Sequence, residues 1–267
     1  PEFGPEMIPL LVDAGRAATL EAFLAERPAP VNRARHPRAV LLAAALHEAR
    51  GAPPLLAVAR ALESGSTASL LVCLAAVLTM LLVRAARGAS LGVEAAAVVG
   101  FISMAWWLLL LAGWQATMGS VYAEVGALSA AFMAGLVGGS VVARRRSSTE
   151  AGFLPAVLVA GSGVSLLIAA GVPLAWPRAA IVPLLLLAGS LTGAAFPAVA
   201  SLAGRGETRR GAGRGFGADE AGAGVAALAV GLLVLPWAGM AAVGLGIAVL
   251  QAGTAVALRL SARGRRI

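Results

Sequence analysis

From residue 67 onward the chain alternates long apolar runs with short polar connections: Thr67 to Val83, Val93 to Trp114, Val121 to Val142, Phe153 to Trp176, Ala179 to Leu202, Phe216 to Trp237 and Ala241 to Leu258. Most exceed the ~20 residues an α-helix needs to cross a hydrocarbon layer of ~30 Å, and the first, at about 17 residues, is marginal. In lipid each backbone polar group must find its partner within the segment, so runs rich in Ala and Leu predict helices. A barrel would require strict alternation of apolar and polar positions, which these runs lack. The predicted fold is therefore all-α, a polytopic transmembrane bundle of six to seven helices. It follows a short helical N-terminal segment, soluble or lying on the surface. Residues 1–66 carry mixed charge and helical patterning over Pro5 to Glu26 and Pro37 to Glu63, broken by Arg27-Pro28-Ala29-Pro30. The predicted organisation is 1–66, then 67–260 in the membrane, then a basic tail, 261–267.

Composition sharpens this picture. Hydrophobic residues make up 59% of the chain and charged residues 13%, a balance that a water-soluble domain does not show. The apolar mass is mostly Ala, Leu, Val and Gly, as in closely packed membrane helices. The single Cys73 lies inside an apolar run, so the chain builds no internal disulfide, and a packing role is expected. His36 and His47 stand apart from any arrangement of metal-ligand spacing, and no metal or cofactor is predicted. Pro1 stands where an initiating Met would be, which predicts a parent polypeptide extending upstream.

The formal net charge of +8 comes from arginines alone. Their clustering between apolar runs, without an aromatic platform, excludes nucleic acid as the expected partner. If the runs cross in turn, one side collects Arg84, Arg87, Arg144 to Arg146, Arg205, Arg209, Arg210, Arg214, Arg259, Arg263, Arg265 and Arg266. The other collects Arg50, Arg60 and Arg178, so the crowded side, with the C-terminus, is predicted to be cytoplasmic in a bacterial inner membrane. Seven crossings then put residues 1–66 outside. A re-entrant or interfacial first run leaves six crossings with both ends in the cytoplasm, the slightly preferred arrangement. Trp106, Trp107, Trp114, Trp176 and Trp237 are expected mostly near run ends, as interface anchors.

Candidate chemistry is sparse. Gly135 and Gly139, and Gly189 and Gly193, are small-residue steps for helix packing; intrachain packing is expected, with a homo-oligomer contact as the alternative. An ionisable group at mid-membrane costs ~2.5–3.5 kcal/mol on insertion scales and marks function. Glu94, Glu124, Asp219 and Glu220 all lie near run ends, where pairing or solvation is the leading expectation. Asp219 and Glu220 are nevertheless the strongest of them, since they enter the sixth run from the arginine-rich connection, where they pair with Arg214 or face a cavity. Gln251 is the one amide near the centre of a run. With Gln115 and Tyr122 these residues form the candidate polar membrane site. No nucleophile elbow, phosphate loop or dinucleotide-type turn is present, so no catalytic residue is assigned.

Gly100-Phe101-Ile102-Ser103-Met104-Ala105, then Gln115, Gly119, Val121-Tyr122, Gly126 and Ala131-Phe132-Met133-Ala134-Gly135-Leu136, resembles the membrane region of bacterial spermidine-synthase-like proteins. Gly215-Phe216-Gly217-Ala218-Asp219-Glu220-Ala221-Gly222-Ala223-Gly224, followed by Leu232-Leu233-Val234-Leu235-Pro236, is similar to a second signature of that region. Asn32-Arg33-Ala34-Arg35-His36-Pro37 is similar to the end of the synthase-like domain, although Ala34 stands where the family has Asp. The resemblance implies that residues 1–66 end an upstream aminopropyltransferase-type domain, whose catalytic residues would precede Pro1. It also implies that the helices anchor that domain or couple substrate to it, with the lipid bilayer and the upstream domain as partners. The alternative is a transporter-like protein for a small molecule such as a polyamine.

Overall fold

The computed structural model describes residues 67–87, 89–118, 124–145, 152–171, 177–204 and 208–264, all within one compact unit, Arg33–Ile267. The N-terminal patterns, His36, His47, Arg50, Arg60, Tyr122, Trp176 and the basic end 265–267 lie outside the described residues. Nearly all of those described are helical: α1 (Thr67–Ala86), α2 (Gly92–Met118), α3 (Val125–Arg145), α4 (Phe153–Ala169), α5 (Pro177–Gly204), α6 (Thr208–Ala226), a π-helical segment (Ala227–Val234) and α7 (Leu235–Gly264).

Among the described residues, four stretches are long and apolar enough to cross a membrane: Gly92–Thr117, Val125–Arg144, Ala179–Gly204 and Ala238–Gly264. This is fewer than the six to seven the hydropathy runs suggest, for local reasons. The fourth run contains Gly171, whose φ of 80° is a left-handed turn that ends α4 at Ala169. The apolar helical part of α1 is short, Val72–Ala86. The sixth run is divided: α6 begins in the polar, arginine-bearing connection at Thr208, and its apolar half passes into the π segment. The seventh is set off by Gly239, at φ 78° and ψ 171°, where the chain turns sharply.

Backbone approaches through glycine fix the relative directions. Gly135 and Gly139 of α3 press on the backbone of Leu186 and Ser190 in α5, while Gly189 and Gly193 of α5 press on Phe132 and Leu136 in α3. The numbers rise together, so α3 and α5 run parallel. A Cβ at any of the four would collide with a carbonyl oxygen of the other helix, and this close backbone contact is what small residues contribute to membrane helix pairs. The same reciprocal contact joins Gly100 of α2 to the Asp219 carbonyl and Gly222 of α6 to the Ala97 carbonyl. Gly231 lies beside Leu108 further along, so α2 and the α6–π path are also parallel. The two segments singled out as signatures, 100–105 and 215–224, are thus packed on each other.

Gly92 meets Leu202 and Ala203, whereas Trp106 shares a cavity with Leu191 and Thr192, which makes α2 and α5 antiparallel. Gly161 faces Gln251 and Gly244 faces Ser165 and Ala169, which makes α4 and α7 antiparallel. Gly253 meets Leu78, and the Ser261 hydroxyl donates to the Ala89 carbonyl at 2.8 Å, which makes α1 and α7 parallel. Consecutive helices therefore reverse direction throughout. Arg84, Arg87, Arg144, Arg214, Arg259 and Arg263, all exposed, fall at one end of the bundle. At that end Arg84, in the last turn of α1, pairs with Glu94, in the first turn of α2, at 2.6 Å, each charge complementing its helix dipole.

The core is a continuous apolar cluster centred on α2, with Leu109, Leu110, Ile168, Ile181 and Leu185 fully enclosed. Two expectations are corrected here. Cys73 is exposed, because it lies off the face of α1 that buries Leu81 and Ala85. Trp106 lies mid-helix and 2% exposed rather than at an interface, because its indole N–H has an acceptor in the core.

Candidate functional site

The most polar point of the core joins three helices. On α7, Gln251 is 1% exposed; on α4, Ser165 is fully enclosed. The Trp106 indole Nε1–H of α2 donates to Ser165 Oγ at 2.8 Å, and the Ser165 hydroxyl donates to Gln251 Oε1 at 2.8 Å. Each bond sets the direction of the next: a serine that accepts from the indole has its own proton free for the amide. A buried donor or acceptor left without a partner costs about 1–3 kcal/mol, so the three side chains depend on one another.

Glycine makes the room. A Cβ at Gly161 would run into the Gln251 amide and lie 3.0 Å from the Trp106 ring edge, and one at Gly244 would lie 2.9 Å from the Ser165 carbonyl. One turn away, the Ser162 hydroxyl lies 3.3 Å from the Ala248 carbonyl, a further tie between α4 and α7. Thr254 donates back to the Leu250 carbonyl, and Thr192 to the Ala188 carbonyl, so both hydroxyls are satisfied within their own helices.

Beside the relay a cavity of about 10 Å³ is walled by Ile102, Trp106, Leu158, Leu191, Thr192 and Gln251, among others. That is about the least volume that holds one water. The polar lining is an amide and a hydroxyl with no carboxylate, so the arrangement offers hydrogen bonds and no ionic site for a cation. Comparison with family models, curated proteins and solved structures finds no match. What the chain does is therefore argued from its own geometry.

The structure does not gather the candidate polar residues into one site. Gln251 is in the core, level with Trp106. Gln115 is exposed in the last turns of α2, nine residues or about 13 Å along the axis from that level. Asp219, half-buried, and Glu220, exposed, sit where α6 crosses Ala97 and Gly100 of α2, about 10 Å toward the arginine-bearing end. Among the described residues Arg84 and Glu94 form an ion pair, and Arg214 pairs with neither Asp219 nor Glu220. Glu124, at the start of α3, accepts from the indole N–H of Trp114. Gly135, Gly139, Gly189 and Gly193 come together in the α3–α5 contact.

Sequence reasoning did not single out Ser165, Gly161 or Trp106 as partners of Gln251. Ser165 is one of several small polar residues in apolar runs. Only the packing of residues 59 and 86 positions apart distinguishes it.

Proposed function

We propose that this chain is a multi-pass module of a bacterial inner membrane. Its helices anchor, or couple substrate to, an aminopropyltransferase-type domain and are not catalytic themselves. The observation that carries the reading is the separation of charge from core. Among the residues whose side chains are described, the exposed arginines collect at one end of the bundle, while Trp106, Ser165 and Gln251 at its centre are neutral and bonded to one another. Under the positive-inside rule the arginine end is cytoplasmic, and the C-terminus with it. The α6–π path, running beside α2, supports a further crossing beyond the four long apolar stretches, and the alternation of α1 and α4 with their neighbours supports six or seven in all. The link to polyamine biosynthesis rests on the resemblance of segments 100–136 and 215–236 to spermidine-synthase-like membrane regions.

The rival reading, a polyamine transporter, needs a polar route with carboxylates near its middle. Gln115, Asp219 and Gln251 lie at three different levels, and the cavity at the relay has room for about one water, which favours the anchoring role. The test has two arms. Purified chain in liposomes is expected to give spermidine flux equal to that of empty liposomes. Membranes carrying the chain joined to an aminopropyltransferase-type domain are expected to retain, after washing, the aminopropyl transfer from decarboxylated S-adenosylmethionine that is washed away when that domain is made without the chain. Flux abolished by Asp219→Asn would overturn the anchoring reading in favour of transport.

A further inference from the structure

The outer face of α7 is a single stripe: Leu245, Val249, Ala252 and Val256, all exposed, lead at helical spacing to Arg259 and Arg263, also exposed. The opposite face of the helix, with Ile247, Gln251, Thr254 and Leu258, is buried in the bundle. The two arginines are four residues apart, which places them on adjacent turns with Cβ atoms about 6 Å apart. α7 contains no acidic residue. Of the carboxylates among the described residues, Glu94 is held by Arg84 and Glu124 by Trp114, while Asp219 and Glu220 belong to α6. Two guanidinium groups thus stand at the end of an apolar stripe without a counterion from the described part of the chain.

From this geometry we infer that Arg259 and Arg263 bind the phosphodiester headgroup of an anionic phospholipid whose acyl chains lie along Val249 and Val256. The inference rests on the bilayer reading above and adds a ligand to it. Long arginine side chains lay their methylenes on apolar surface and carry the charge to the headgroup layer. The planar guanidinium offers paired N–H donors that match two oxygens of a phosphate. A zwitterionic headgroup supplies the phosphate but cancels its charge, so the preference is for phosphatidylglycerol-type lipids over phosphatidylcholine. Arg144 and Arg214 leave the bundle on α3 and α6 and do not continue this stripe.

The experiment places the full chain in phosphatidylcholine bilayers and measures by electron spin resonance how strongly spin-labelled phosphatidylglycerol associates with the protein, relative to labelled phosphatidylcholine. The wild-type chain is expected to prefer phosphatidylglycerol, and the preference to fall up to about fivefold for each of Arg259→Gln and Arg263→Gln. Salt near 1 M is expected to suppress it. Arg214→Gln is expected to leave it unchanged. Equal association of the two lipids with the wild-type chain, or an equal loss in Arg214→Gln, would overturn the assignment. So would displacement of the labelled lipid by millimolar inorganic phosphate, which would make the site one for free phosphate. Failure of the chain to enter pure phosphatidylcholine bilayers would count against the bilayer reading itself, a result distinct from incorporation without selectivity.

Discussion

Gly138 and Gly139 are neighbours in α3 with opposite surroundings, and alanine at each gives a sharp test of the parallel α3–α5 contact. At Gly138 an added Cβ meets nothing within 4 Å. Gly138→Ala therefore gains only the better helix propensity of alanine, about 1 kcal/mol. At Gly139 the added Cβ falls on the Ser190 carbonyl, which is backbone and cannot rotate away. The two helices must separate, loosening the reciprocal contacts of Gly135, Gly189 and Gly193 as well. Overpacking of this kind costs about 1–3 kcal/mol, and that range already exceeds or matches the propensity gain. The two variants are thus expected to diverge, Gly138→Ala rising by about 1 kcal/mol and Gly139→Ala falling by up to about 2 kcal/mol. The assay is reversible unfolding of the detergent-purified chain in mixed micelles of rising dodecyl sulfate content, followed by tryptophan emission. The Trp107 ring, 6.1 Å from that of Phe132 on α3, provides a reporter near the contact. Equal shifts in the two variants, or stabilisation by Gly139→Ala, would refute the close approach.

Ser165→Ala strands the Trp106 N–H and the Gln251 carbonyl together and should cost about 1–3 kcal/mol in the same assay, whereas Thr192→Val, whose hydroxyl serves only its own helix, should cost less. Gly171→Ala, at φ 80°, should lose about 1 kcal/mol from the left-handed backbone alone, and a neutral result would count against the turn that ends α4. The Arg84–Glu94 pair is partly exposed, at 48% and 21%, so Glu94→Gln should change stability by less than about 1 kcal/mol, and a larger loss would mean the pair is more enclosed than the structure has it.

Much of the helical framework was legible because hydrophobicity and length alone decide it. The runs over 93–114 and 179–202 fall within α2 and α5, and Gly239 divides the last two runs where the hydropathy dips. The misread boundaries have a common cause, since hydropathy does not register backbone conformation. The run over 153–176 stays apolar through Gly171, which nonetheless ends α4. The polar residues from Thr208 to Gly215 are helical, held against α5 by the near approach of Gly215 to Ala200. Small-residue spacing marked Gly135, Gly139, Gly189 and Gly193, yet spacing says nothing of which helix receives which. Gly100 and Gly222 make the same kind of contact without forming such a step with each other. The relay was least visible. Gln251 stood out as a mid-run amide, but a serine and a tryptophan become its partners only when α2, α4 and α7 pack together.

The central claim is that the helices reverse in a bilayer so that the arginine clusters share one face. In a Cys73→Ala background, single cysteines at Arg144 and Arg263 would mark that face, and single cysteines at Gln115 and Gly171 the other. In intact spheroplasts a membrane-impermeant maleimide is expected to label the Gln115 and Gly171 positions and to reach the Arg144 and Arg263 positions only after permeabilisation. Labelling that separates Arg144 from Arg263 would contradict the account.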